Sequence, residues 1–101
     1  MTYHLSRRAQ VPADNGYLYH HELGLSADVE HARKILINVI KGEIAWLELE
    51  HQRHAGQWRQ DRIARLNRAI QVVENFTDGV YRCVLVDGTR YGWRREDQRL
   101  D

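Results

Sequence analysis

Between Ser26 and about Asn75, apolar side chains return at helical intervals, and the chain then closes with two alternating runs joined by Asp87-Gly88. A long helical block followed by a tight hairpin leaves few architectures, because each element has an apolar face that another must cover. The simplest is a single α+β domain over residues 1–101. In it, two to three helices pack on one face of a small antiparallel sheet formed by N-terminal strands and the C-terminal hairpin. The two ends of the chain are then neighbours.

Ser26 is the expected cap of the first helix, its hydroxyl facing the first free amides, with Asp28 adding a carboxylate at the positive helix end. Val29, Ala32, Leu36, Val39 and Ile40 follow at helical spacing, and Ile35 and Ile37 widen the apolar arc beyond a single stripe. Gly42 is expected to end or bend this helix, since glycine costs roughly 1 kcal/mol relative to alanine in a helix interior. The 3.6-residue step then resumes at Ile44, Leu47, His51, Ala55, Trp58, Ile63, Leu66, Ile70, Val73 and Phe76. It fits one long kinked helix or, preferably, two helices with a corner at Gly56. A strand over residues 44–50 competes, from the alternation of Leu47 and Leu49 with Glu48 and Glu50, but the helical period continues past it.

The hairpin is the clearest element. Val80 to Val86 and Thr89 to Arg94 flank Asp87-Gly88, a pair that tolerates the positive backbone angles of a type I′ turn. A two-residue loop sets Val86 opposite Thr89, Val84 opposite Tyr91 and Arg82 opposite Trp93. The face bearing Val80, Val84, Val86, Tyr91 and Trp93 should meet the helices, with Arg82 lying across the Trp93 ring. Tyr3 to Val11 and Tyr17 to His21, joined through Pro12-Ala13-Asp14-Asn15-Gly16, read as a looser hairpin that pairs with it. The segment from Arg95 to Asp101 reads as a frayed charged tail.

Global chemistry singles out no partner. The net charge is +1 and 43% of residues are hydrophobic, an ordinary globular balance. Cys83 is the only cysteine, which rules out an intrachain disulfide and suits a reducing, cytoplasmic compartment. No run of about 18 apolar residues spans a membrane, and no apolar segment follows the basic pair Arg7-Arg8 as in an export signal. Asn75-Phe76-Thr77 fits a glycosylation triplet by chance. Arginine outnumbers lysine thirteen to two. A GC-rich coding sequence accounts for that more simply than phosphate recognition, because the arginines are dispersed and offset by carboxylates.

No motif has the spacing of a phosphate loop, a dinucleotide fold, a closed zinc site or a nucleophile elbow, so no cofactor and no catalytic residue is expected. Glu48, Glu50, His51 and His54 are the one cluster to weigh for metal, Glu48 and His51 sharing a helix face. A di-iron bundle needs two such pairs, and zinc needs further ligands from His20, His21 or Cys83. A solvated polar patch is the expected reading. His20 and His21 point to opposite faces of a strand, and Cys83 has only Arg82 and Arg90 nearby, whose heads can reach water, so a small structural residue is expected.

The basic stretch around Arg53 carries the functional expectation. Arg65 and Arg68 fall on the polar side of the second helix, whereas Arg59 and Arg62 fall inside its apolar arc. Those two must snorkel, pair with Glu43, Glu48 or Glu50, or face a partner. With Trp58 they have the composition of an interface hot spot, so Trp58, Arg59, Arg62, Arg65 and Arg68 form the candidate partner-binding set. The reading reached by elimination is a small non-catalytic protein that binds another protein or protein complex, with a homodimer compatible with it. Its size class is shared by phage and mobile-element accessory proteins, including stoichiometric inhibitors of host defence complexes such as the anti-CRISPR class. The alternative is a nucleic-acid-binding module using the arginine-bearing helix; a third reading, a metal-dependent or thiol enzyme, has only the clusters above behind it.

Overall fold

The structure, a computed structural model, describes residues 2–11, 16–54 and 56–96. Its elements are β1 (Thr2–Val11), β2 (Gly16–Ser26), α1 (Val29–Arg53), α2 (Gln57–Glu74), β3 (Tyr81–Val86) and β4 (Thr89–Glu96). All strand pairs are antiparallel, and the sheet order is β2-β1-β4-β3. Two hairpins, one from each side of the helical block, are joined along a β1–β4 seam in which Thr2 pairs with Glu96 and Leu5 with Trp93. The α+β architecture read from the sequence is the one observed, with two helices on one face of a four-stranded sheet.

Alternation along the strands decides which face is covered. Tyr3, Leu5 and Ala9 of β1, Tyr91 and Trp93 of β4 and Val86 of β3 are buried. Against them α1 sets Ala32, Leu36, Ile40 and Leu47, and α2 sets Leu66, Ala69, Ile70 and Val73, each group along one face of its helix. Trp93 is the centre of an aromatic trio, meeting Tyr3 edge-on at 5.4 Å and Phe76 edge-on at 5.3 Å.

Several local expectations are corrected. Asp28, not Ser26, caps α1: its carboxylate accepts from the His31 amide at 2.8 Å. Ser26 is the last residue of a β2 longer than expected, and its buried hydroxyl donates to the Asp28 carbonyl at 2.9 Å. Gly42 neither ends nor bends α1 away from helix. The burial of Leu36 and Ile40 before it and Leu47 after it outweighs the cost of one glycine. The break comes at the expected corner, where His54 ends α1 and Gly56 caps α2. Trp58 lies on the exposed side of α2's first turn, because the helical period does not carry across that corner.

In the C-terminal hairpin the pairing is as expected, and Asp87 (φ 49°) and Gly88 (φ 84°) take the two positive angles of the turn. Val80 is not covered. It precedes β3 in the loop after α2, and it is 59% exposed. Arg82 does not lie across Trp93; its guanidinium donates to the Thr77, Asp78 and Tyr81 carbonyls. Arg95 and Glu96 belong to β4, Arg95 bonding Asp78 at 3.0 Å. The expected turn at residues 12–15 and the tail from residue 97 lie outside the described residues. Among the described residues, no helix is long and apolar enough to cross a membrane.

Candidate functional site

The five side chains singled out in the basic helix do not form one patch. Arg62 and Arg65, one turn apart on α2, both reach Asp87 in the β3–β4 turn. Arg62 Nη1 lies 3.0 Å from Oδ2, and Arg65 Nε lies 2.9 Å from Oδ1. Arg62 Nη2 also contacts Glu43 of α1 at 3.4 Å. Arg59 stays near the helix start, stacked 4.7 Å from the Trp58 ring centre and donating to the His54 carbonyl at 2.6 Å. Arg68 is further along, on the rim of a shallow groove between α2 and β3 whose floor includes Ala69, Val72 and Val84. The set therefore divides into a bracket on the hairpin turn, a clamp on the interhelix corner and a groove rim.

Glu43 is the hub that links the bracket to the sheet. It accepts from Arg7 of β1 and, at 2.6 Å, from the hydroxyl of the fully buried Tyr91 of β4, besides Arg62. Its charge is matched by two guanidinium groups, so it can sit half-buried between the layers. Pairing of Arg62 with Glu43 was among the sequence expectations; the roles of Asp87, Arg7 and Tyr91 were not visible there.

Above this network lies a cleft of about 570 Å³ between α1 and β2, walled by Leu23, Val39 and Leu47, with Glu43 and Arg62 at its polar end. Gly42 and Trp46 form its α1 lip. Trp46 is 60% exposed and Leu49, one turn on, 59%. Gly42, Trp46 and Leu49 fall at i, i+4 and i+7, so they make one apolar stripe pointing away from the α1 core face. Among the described residues, a Cβ placed on Gly42 would meet nothing within 4 Å beyond the helix's own adjacent backbone. The available signal in the sequence was a glycine in mid-helix followed by apolar residues out of step with the core stripe.

The metal candidates are engaged elsewhere or spread out. His51 sits at the helix corner, Nδ1 accepting from the Gly56 amide at 3.4 Å and Nε2 lying 3.0 Å from Gln60 Nε2. His54 is the exposed cap residue that ends α1, and Glu48 lines a surface hollow with His51. Among the described residues no group of three His, Cys, Asp or Glu side chains could hold a metal ion. His21 joins Arg7 at 3.4 Å on the cleft wall, and Cys83 is an exposed thiol on the uncovered face of β3. No family model, curated protein or solved structure matches this chain.

Proposed function

We propose that this chain is a small non-catalytic protein of the cytoplasm that acts by binding another protein, and that the α1 stripe with its cleft is the contact surface. The observation that carries the reading is Gly42. A glycine in a helix interior costs about 1 kcal/mol relative to alanine, and among the described residues nothing beyond the helix's own adjacent backbone would touch the methyl group that alanine adds. The fold gains nothing from its absence, whereas a partner's backbone or side chain could approach α1 closely there. Trp46 and Leu49 supply the apolar anchors beside it, and the cleft would take one apolar side chain of the partner. A stoichiometric inhibitor of a host defence complex is one role such a surface serves.

Gly42→Ala tests this directly. It is expected to raise the melting temperature while weakening capture of the partner from nuclease-treated source-cell lysate, and Trp46→Ala is expected to abolish capture without unfolding the chain. A Gly42→Ala protein that is more stable and captures the same protein undiminished would overturn the reading.

A nucleic-acid-binding module is the second reading, and one observation favours it. On the uncovered sheet face Arg8 lies directly opposite Arg90, and His4 opposite Arg94, beside Tyr81. That would place the contact on the sheet rather than on Arg62 and Arg65, which face carboxylates, although His4 on the sheet also meets Glu96 at 3.4 Å. Binding of single-stranded RNA or DNA that weakens steeply with salt and is lost in Arg94→Glu would favour it over protein binding.

A further inference from the structure

We propose that β3 is a self-association edge: two copies of this chain pair antiparallel through Tyr81–Leu85, about a two-fold axis at Cys83, and fuse their sheets into one. The proposal does not depend on the α1 stripe.

The two edges of the sheet are managed differently. Along β2 the pairing with β1 shifts register twice, and Gly24 has φ +128°. Bulges and charged residues such as Glu22 are the usual protection of an edge against a further strand. β3 has neither. Its pairing with β4 is unbroken, and its outward row is Tyr81, Cys83 and Leu85, all exposed and none charged.

The register follows from the hairpin. The Arg95 amide donates to the Val80 carbonyl at 2.7 Å, so the backbone groups of residues 80, 82, 84 and 86 face β4. Those of Tyr81, Cys83 and Leu85 face the open edge. An axis at Cys83 is the one register that engages all three: Cys83 meets Cys83 of the second copy, and each Tyr81 meets a Leu85. The Tyr81 carbonyl is then shared, since Arg82 Nη1 already donates to it at 3.1 Å. An aromatic residue opposite an aliphatic one is a favourable cross-strand pair, and no like charges are brought opposite each other on the outward row. Val72 and Leu85, both exposed on the groove beside this edge, extend the apolar contact.

Sedimentation of the reduced protein over a micromolar to submillimolar range tests the proposal. The expected result is a reversible monomer–dimer equilibrium that persists in Cys83→Ser and Trp46→Ala and disappears in Leu85→Lys. Because Leu85 is exposed, the lysine variant should melt as the parent does. Should it not, Tyr81→Lys repeats the test. Mild oxidation of the unmodified chain should trap the dimer as a Cys83–Cys83 disulfide, since hydrogen-bonded antiparallel partners have Cα atoms about 5.5 Å apart, within disulfide range. A chain that stays monomeric throughout, that dimerises equally well with Leu85→Lys, or whose edge accepts only a foreign strand would overturn the proposal.

Discussion

Asp87, the first residue of the β3–β4 turn, is held by Arg62 of α2 with Nη1 3.0 Å from Oδ2, and the other amino group of the same guanidinium reaches Glu43 of α1. One side chain thus ties the hairpin turn to both helices. Arg62→Ala is expected to cost about 1–2 kcal/mol, because Glu43 keeps Arg7 and Tyr91 as donors and Asp87 keeps Arg65. Glu43→Ala should cost more, about 2–3 kcal/mol, since three donors lose one acceptor. Denaturant unfolding of both variants and of the double mutant measures the coupling. Additive effects would show that the two residues act separately.

Arg59 should behave differently from Arg62. Its guanidinium stacks on the exposed Trp58 and touches one carbonyl at the helix corner. Arg59→Ala is expected to shift stability by no more than about 1 kcal/mol. A loss as large as that of Arg62→Ala would mean that the interhelix corner depends on this stack.

Glycines at two hairpin positions should fail for different reasons. Gly88→Val forces a β-branched residue to φ 84° and is expected to cost about 1 kcal/mol or more. At Gly92 the obstacle is space, because an added Cβ would lie 2.7 Å from the Cys83 Cα on the neighbouring strand. Gly92→Ala must push β3 away from β4, at a cost of about 2–3 kcal/mol. Thermal melts of the two variants rank them, and a Gly92→Ala protein as stable as its parent would contradict the close approach of these strands.

Tyr3 and Asp78 give the stability a dependence on pH at both extremes. The buried Tyr3 donates its hydroxyl to Asp78 at 2.6 Å, and that bond, then burial and the nearby carboxylate charge, raise its pKa above the ordinary 10.0. The folded form therefore holds the phenol proton longer than the unfolded chain does. This contribution is complete below pH 10.0 and is lost as pH rises through the folded pKa. Asp78 is displaced below its ordinary 3.8 by the same bond and by Arg95, so its contribution is complete above 3.8 and is lost as pH falls through the folded pKa. Melting temperatures across pH should show both limbs, with the alkaline one weakened in Tyr3→Phe and the acid one in Asp78→Asn.

What could be read in advance was set by local rules. The Asp87-Gly88 loop has two residues, so it fixed every pair from Val86–Thr89 to Arg82–Trp93 before any tertiary contact was known. Alternation assigned Val80 to the helix side, but Val80 lies before β3 begins and is exposed. Glycine's propensity at Gly42 was overridden by burial on both sides, which only the packed helix reveals. For the arginines the missing information was Asp87, distant in the chain from Arg62 and brought beside it by the hairpin. Trp46 and Leu49 carried a readable period, yet their exposure depends on which α1 face meets the sheet.

The β1–β4 seam also governs how the molecule can be made. Each hairpin is local, but Leu5 finds Trp93 only after everything between them has been synthesised. While the chain emerges from the ribosome, the β1–β2 ribbon must wait with the edge of β1 open, because its partner strand is made only after both helices and β3. Completion of the core is therefore a late event, with a slow, high-contact-order step at its end. A nascent chain arrested before β4 is expected to be a client for chaperones, with its hydrophobic ribbon still unpaired.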